Sequence, residues 1–328
     1  METYGTSRLS LLKRERNSKG RTQLKNNFLR TTQQREKGEN TPKIQADLND
    51  KVILISDFFI DDFVGGAALN DEEIYKLLSE RFDVQKIKSR YLYEGFIQEN
   101  LDSFFIISNF FGVSPAIRNL IQSKCKYILY CHDYKFVQHT NPAVYPDQIV
   151  PPRDLINVDF HEDAHKIICQ TQFQKDIYDR NLKCPDKTIS FSGNLWSEEH
   201  LDLFESLLET PKRSRYAIVN SPYPQKGVKE SVEFCEKEKI QYDIIEDRDY
   251  DKFLHKLSQY SHLVFYPSTP ETCCRLVLEA KMMGVKAVIN NLIGCSYEPW
   301  YSLEGKEMID LMREKRKGFR KFFRSIRE

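Results

Sequence analysis

The sequence predicts an α/β protein made of two successive domains, each a parallel sheet covered by helices on both faces. Short apolar runs alternate with helical segments, the alternation stops at a polar linker (209–215), and it then restarts. The chain has 328 residues, which is enough for two Rossmann-like cores. We therefore expect domains at 49–210 and 211–304, with the ligand site in the cleft between them.

A basic arm (1–48) precedes the first domain. Between Met1 and Ala46 there are eleven Lys or Arg and four Glu, with few apolar residues and no sustained periodicity. This composition is typical of a disordered segment. The whole chain carries 49 basic and 48 acidic residues, so its net charge alone favours no class of partner.

Six strands are expected in the first domain, beginning with the apolar run Val52–Ile55, which is of the fully buried type. The predicted strands are 51–56, 82–88, 104–108, 126–130, 166–169 and 187–191. The predicted helices are 71–81, a short one near Glu94, 114–123, 173–181, and one that runs from a Ser197 cap to Leu208.

The second domain is short, with four expected strands. These strands are 216–219, 242–245, 262–266 and 286–289, and the helices are 228–239, 250–260 and 271–283. A basic amphipathic helix (305–328) follows, with an apolar face made of Phe319, Phe322, Phe323 and Ile326. That face favours packing against the first domain, and peripheral contact with a membrane surface is the alternative.

The segment Tyr266–Ile289 is the most informative part of the chain. It reads as a buried strand, a Pro-Ser turn, a helix, a glycine stop and a second buried strand. The turn leaves free backbone N–H groups at a helix N-terminus, which suits a diphosphate. Glu271 and Glu279 are eight residues apart, so we expect both to project from similar sides of one helix.

This pattern resembles the Glu-x7-Glu element of the GT-B glycosyltransferases, in particular those of family 4 (group 1). The resemblance implies a GT-B fold, with a nucleotide-sugar held by the second domain. It implies that Glu271 contacts the donor sugar as a catalytic residue, and that Glu279 binds the ribose hydroxyls. The diphosphate would lie at the helix start, which comprises Cys274, Arg275 and Leu276; Cys274 stands where the family usually has glycine.

The turn Gln225-Lys226-Gly227 resembles the Lys-Gly pair of the same family. The resemblance implies that Lys226 neutralises the donor phosphates and that Gly227 belongs to the donor site. Five residues earlier, Ser221 stands where the family usually has an arginine. Arg275 is a candidate to replace the missing cation.

Two features of the first domain resemble the same family. Gly65 and Gly66, between the first strand and the first helix, resemble the glycine loop that approaches donor and acceptor, where the lack of a Cβ permits close contact. His132 closes the fourth strand, and the resemblance implies that it lies beside the transferred sugar as a second catalytic residue.

The resemblance therefore implies a glycosyltransferase that moves a sugar from a UDP- or GDP-sugar to a polysaccharide, lipopolysaccharide or other glycan, with retention and without a metal or further cofactor. Two alternatives stay open. The basic arm would suit an enzyme that glycosylates bases of DNA. The missing arginine, Cys274 and the short second domain would suit a degenerate GT-B protein that serves as a binding scaffold.

Other sequence features exclude competing classes. Asp247-Arg-Asp249 matches the Asp-x-Asp metal motif, but its position between a strand and a helix favours a turn with a helix cap. No P-loop or Gly-x-Gly-x-x-Gly motif is present, which argues against nucleotidases and dinucleotide enzymes. Eight scattered cysteines without a Cys-x-x-Cys pair, and no apolar stretch of membrane-spanning length, predict a cytoplasmic protein.

Overall fold

The structure is a computed structural model that describes residues 50–327, so the predicted basic arm lies outside the described residues. Ten strands are present: β1 Lys51–Ser56, β2 Asp83–Lys88, β3 Phe104–Ile107, β4 Lys126–Cys131, β5 Lys166–Cys169, β6 Thr188–Ser190, β7 Arg213–Val219, β8 Tyr242–Ile245, β9 Tyr260–Phe265 and β10 Lys286–Ile289. The helices are α1 Gly66–Ser79, α2 Glu94–Gln98, α3 Pro115–Lys124, α4 Val158–Glu162, α5 Gln172–Asn181, α6 Glu198–Leu207, α7 Val228–Lys237, α8 Tyr250–Leu257, α9 Arg275–Met282 and α10 Gly305–Arg327.

The first sheet has six parallel strands in the order β2-β1-β3-β4-β5-β6. The expected six strands are confirmed. Apolar clusters cover both faces, because alternate residues of each strand point to opposite sides: Ile53 belongs to one cluster and Leu54 to the other. The chain reverses its direction of travel across the sheet between β1 and β3, and the carboxyl ends of those strands therefore flank a switch point.

Four parallel strands form the second sheet, in the order β10-β9-β7-β8. The expected four strands are confirmed, and the second switch point lies between β7 and β9. Strand β7 begins at Arg213, three residues before the predicted start. The register against β9 shifts between Arg213 and Tyr216, which accommodates this polar extension.

Helix α6 precedes the linker but packs in the core of the second sheet. Its buried side chains Leu201, Phe204 and Leu207 share a cluster with Ala217 of β7 and Leu278 of α9. Ser197 caps the helix, since its hydroxyl accepts a hydrogen bond from His200 N at 3.1 Å, as its sequence predicts.

The final helix, α10, joins the two halves. Its first part (Met308 and Met312) lies in the core of the second sheet, and its last part packs on the first sheet. The Phe323 ring is 5.6 Å from the Phe82 ring and 5.7 Å from the Phe104 ring, both edge to face. The predicted apolar face is therefore occupied by the protein's own core, as the packing alternative requires.

Within residues 50–327, the structure contains no helix of the length and apolarity needed to cross a membrane. All eight cysteines fall inside this range, and each is a free thiol.

Candidate active site

The carboxyl ends of the two sheets bring their loops into direct contact. The loop after β9 carries Thr272, whose carbonyl accepts a hydrogen bond from the Thr171 hydroxyl at 2.5 Å, and Thr171 follows β5 of the first sheet. The side chain of Asn141 donates to Ser268 O at 3.3 Å. The predicted site residues therefore lie on loops that meet at the carboxyl ends of the two sheets, and a ligand in this place stays a prediction.

Glu271 is not on the helix that carries Glu279. The helix begins at Arg275, and Glu271 instead pairs with the segment around Ile293: its N–H donates to Leu292 O at 2.8 Å, and its carbonyl accepts from Gly294 N at 2.8 Å. The prediction of one helix face with both glutamates is thus wrong. Both backbone groups of Glu271 make hydrogen bonds with the segment around Ile293 and are not available to continue the helix in the N-terminal direction.

Cys274 sets the helix start. Its φ of 70° places it in the left-handed region, so the helix cannot extend through it. A glycine would adopt this conformation at no steric cost, which explains why the resembling family has glycine here. The Cys274 side chain is buried in the core of the second sheet, and burial raises the pKa of its thiol well above the ordinary value.

Lys226 and Glu271 form an ion pair of 2.6 Å between Nζ and Oε1. Burial lowers the pKa of Lys226, and the Glu271 carboxylate more than offsets that effect, so the pKa lies above its usual value. Gly227 has a φ of 68°, and a Cβ there would collide with the carbonyl of Tyr266. Glycine is therefore required for the Lys-Gly turn after β7 to approach the loop after β9 this closely.

Glu279 lies buried in a group of three hydrogen-bond donors. Its Oε1 accepts from Trp196 Nε1 at 3.0 Å, from the Tyr250 hydroxyl at 2.5 Å and from Arg275 Nε at 3.2 Å. Burial, and then the Glu279 charge, raise the pKa of Tyr250 well above its usual range, so this hydroxyl stays protonated and donates. Glu279 is thus an acceptor for donors of the protein itself, and its contact with a ribose stays a prediction.

Arg275 also turns toward the protein. Its guanidinium is buried, pairs with Glu279, donates to Asn194 Oδ1 at 3.2 Å and to Leu195 O, and lies over the Trp196 ring. Burial lowers the pKa of Arg275, but the neighbouring Tyr250 and Glu279 outweigh it, and the pKa lies above its usual value. The guanidinium links the helix to the segment after β6, while its place as a phosphate cation stays a prediction.

The glycine loop of the first sheet contacts this arginine. Gly65 is the N-cap of α1, and a Cβ on Gly66 would lie 3.4 Å from Arg275 Cδ. The Phe63 ring occupies the space beside Gly65, with Cε1 only 2.5 Å from where a Cβ would stand. The two glycines therefore permit close approach of these side chains, and their contact with donor and acceptor stays a prediction. Leu276, which is also predicted to bind the sugar donor, is half-buried against the core of the second sheet.

His132 is buried and bonded at both ring nitrogens. With Nε2 protonated, it donates to Asp71 Oδ1 at 2.7 Å, while Nδ1 accepts from Gln170 Nε2 at 2.6 Å. Gln170 Oε1 in turn accepts from the Thr272 hydroxyl at 3.0 Å. We call this chain (Asp71, His132, Gln170 and Thr272) the His132 relay; it connects the core of the first sheet to the loop that holds Glu271.

Sequence reasoning missed most of this relay. Asp71 is fully buried on α1, where its other oxygen accepts from the hydroxyls of Ser56 at 3.0 Å and Ser108 at 2.6 Å. The sequence gives it little signal, because Asp71 stands in the polar run Asn70-Asp71-Glu72-Glu73 and looks like an exposed carboxylate. Gln170 follows β5 directly, and a polar residue at the carboxyl end of a parallel strand is the signal that could have found it.

The Asp-x-Asp match is a turn and a helix cap, as predicted. Asp249 is the N-cap of α8 and accepts from Lys252 N at 3.0 Å, and Asp247 accepts from Asp249 N at 3.1 Å. Among residues 50–327, no three His, Cys, Asp or Glu side chains are grouped so as to hold a metal ion.

Two parallel sheets of this order, joined by a C-terminal helix and meeting at a Lys-Gly turn and a glutamate loop, define the GT-B fold of glycosyltransferases. HepE from Anabaena, solved with UDP and glucose, aligns with a TM-score of 0.51 at 12% identity over 83% of this chain and 90% of its own. The trehalose-6-phosphate synthase OtsA aligns with a TM-score of 0.54 at 8% identity over 85% of this chain and 99% of its own.

What the chain shares with these proteins is the fold. No protein-family model matches the sequence, and no curated protein matches it.

Proposed function

We propose that this protein is a glycosyltransferase that moves a sugar from a nucleotide-diphosphate sugar to a glycan acceptor. The observation that carries the proposal is the Lys226–Glu271 pair of 2.6 Å, held at the carboxyl ends of β7 and β9 and close in the chain to the N-terminus of α9. A cation, a carboxylate and a helix N-terminus at one place supply what a sugar diphosphate needs.

The reaction cleaves the bond between the anomeric carbon and the diphosphate, so negative charge grows on the leaving phosphate. In our proposal the Lys226 ammonium and the N–H groups at the start of α9 stabilise that charge, which removes the need for a metal. Glu271 accepts hydrogen bonds from the donor sugar and orients it. By the family resemblance, the reaction retains the anomeric configuration.

The acceptor hydroxyl approaches from the first sheet, beside His132. In this proposal the relay from Asp71 fixes the imidazole ring so that its position relative to the sugar is set before substrate binds. In this proposal the ribose hydroxyls bond Glu279 Oε2, because the three protein donors all lie on Oε1.

HepE was solved with UDP and glucose, and that supports UDP-glucose as the first donor to test. The eight free thiols support a reducing compartment such as the cytoplasm. Glycans are our first choice of acceptor. Glycosylation of DNA depends on the basic arm, which lies outside the described residues.

A second candidate function is a binding scaffold that no longer turns over a donor. The burial of Glu279 and Arg275 against Trp196 favours it, because these groups satisfy one another without a nucleotide. The Lys226–Glu271 pair at the site argues against a scaffold.

Release of nucleoside diphosphate tests the proposal. The full chain is incubated with UDP-, GDP- and ADP-sugars in EDTA, with and without mixed glycan acceptors, and the free diphosphate is measured. We expect release from one donor class, lost in Glu271→Gln and kept in the exposed control Glu233→Gln. A chain that releases none of the diphosphates, with or without acceptor, would leave the scaffold as the better account.

A further inference from the structure

Exposed aromatic rings are concentrated on one edge of the molecule. Seven Phe and Tyr side chains of residues 50–327 are exposed, and five of them follow the neighbouring strands β1, β2 and β3. We call these five the aromatic platform: Phe58, Phe63, Tyr91, Tyr93 and Phe111, each exposed by 53% to 63%. Large exposed rings on adjacent loops are typical of a surface that binds a ligand.

The platform loops are tied to one another beneath the rings. The Asp57 carboxylate, directly after β1, accepts from Phe111 N at 3.2 Å and Gly112 N at 3.0 Å in the loop after β3. It also accepts from the Ser89 hydroxyl, directly after β2. One carboxylate therefore ties three loops together, and the five exposed rings belong to these same loops.

The platform continues into the candidate active site. Phe63 packs on Gly65, and Gly66 lies against Arg275, so one end of the platform reaches the glycine loop. Across the sheet, Lys135 in the loop after β4 lies over the Phe111 ring at 4.8 Å, three residues beyond His132. A molecule lying on the rings would present its end to the site where the donor sugar is expected.

The charge around the platform is unsuited to a polyanion. The segments 57–64, 88–94, 109–113 and 132–136 carry five Asp or Glu and three Lys or Arg, a balance of −2. Two of the three cations are neutralised locally, since Lys88 pairs with Asp62 and Lys135 with Asp133, both at 2.5 Å. DNA or a phosphorylated glycan would need cations here to pair with its phosphates, whereas an uncharged sugar needs none.

We propose that the aromatic platform is the acceptor subsite and that it takes an uncharged saccharide. The C–H faces of pyranose rings are apolar and stack on aromatic side chains, while their hydroxyls stay in water at the platform's rim. That a saccharide bound here is the acceptor of the reaction rests on the proposed function. The binding of a saccharide to the platform does not depend on that function.

The test is binding of oligosaccharides to the full chain, independent of turnover. An array of neutral, carboxylated and phosphorylated oligosaccharides and a short duplex DNA are applied, and hits are measured by saturation-transfer NMR and titration. We expect neutral saccharides to bind. We expect Phe63→Ala and Phe111→Ala each to weaken binding roughly tenfold. The control is Ile244→Ala, an equally exposed apolar residue on β8.

Preference for anionic glycans or DNA, equal loss in Ile244→Ala, or binding of no array member by the wild type would overturn the proposal. Binding of UDP, measured in parallel, separates the two proposals. Nucleotide binding without saccharide binding would overturn the proposal for the aromatic platform and leave the glycosyltransferase proposal standing. The opposite result would be saccharide binding that depends on the platform, without nucleotide binding or turnover. It would overturn the glycosyltransferase proposal and leave the platform as a glycan-binding surface.

Discussion

Lys226 Nζ lies 2.6 Å from Glu271 Oε1, although the two residues are 45 positions apart and belong to loops after different strands. The Lys226 side chain keeps 40% of its surface in solvent, and that of Glu271 keeps 19%. The pair therefore joins two loops and remains accessible to a ligand. Surface ion pairs contribute little stability, about 0–1 kcal/mol, so we do not expect this half-buried pair to dominate folding, and its role in binding stays a proposal.

Asp71→Asn should lower kcat by roughly tenfold or more, because a neutral amide accepts the Nε2–H of His132 more weakly than a carboxylate and can turn its NH2 toward the ring. Stabilisation by nucleotide should remain, since Asp71 lies on the first sheet's helix. The matched control is Glu73→Gln on the same helix, whose carboxylate pairs with Arg316 at 3.1 Å, away from the relay. An unchanged kcat and an unchanged pH profile in Asp71→Asn would show that the relay has no role in the reaction.

Cys274→Gly should be more stable than Cys274→Ala. Both variants lose the buried thiol, and they differ only in a Cβ that is strained at a φ of 70°. The difference in unfolding free energy should be about 1 kcal/mol in favour of glycine. Urea denaturation measures it. Equal stability of the two variants would mean that the backbone at residue 274 is not left-handed in solution.

Acidification should destabilise the protein partly through His161. The ring is buried beside Phe110 and Tyr178, and burial lowers its pKa from 6.5 to about 4. Below pH 6.5 His161 binds a proton in the unfolded chain but not in the folded chain, so stability falls as pH drops toward 4. The loss between pH 7 and pH 5 should be about 2 kcal/mol.

His161→Phe removes this contribution, so its unfolding free energy should depend less on pH than that of the wild type. The exposed His255→Gln serves as the control, with an unchanged pH dependence. Denaturant unfolding at pH 7 and pH 5 gives the comparison. Parallel curves for wild type and His161→Phe would contradict a buried neutral histidine.

Phe323→Ala should destabilise the fold by about 3–5 kcal/mol, since the ring is 1% exposed and packs on Phe82 and Phe104. Arg324→Ala, the exposed neighbour on α10, should cost little. Thermal unfolding of the two variants checks the difference. A helix that docked on a membrane instead would make Phe323→Ala nearly neutral in solution.

The sequence predicts the sheets well because buried parallel strands are continuous apolar runs. Strands β5, β8 and β10 have the predicted bounds, Lys166–Cys169, Tyr242–Ile245 and Lys286–Ile289. Local pattern suffices where the core dictates the residue types.

The late start of α9 and the His132 relay could not be read in this way. The sequence pattern predicts a helix from Glu271, but contacts from Thr171 and from the segment around Ile293 hold the backbone before Arg275 in another conformation. The hydrogen bond from Gln170 to His132 spans 38 positions, and that from Thr272 to Gln170 spans 102. The first bond depends on the pairing of β4 with β5 and the second on how the two sheets meet, and no local pattern encodes either.

Thermal unfolding with nucleoside diphosphates tests the central claim most directly. Wild type, Lys226→Met and the exposed control Lys229→Met are heated with UDP, GDP and ADP in the absence of divalent cations. One diphosphate should stabilise wild type and Lys229→Met, by about 2.7 kcal/mol at a hundred times its Kd, and Lys226→Met much less. No stabilisation of the wild type, or equal stabilisation of Lys226→Met, would contradict a donor site built on the Lys226–Glu271 pair.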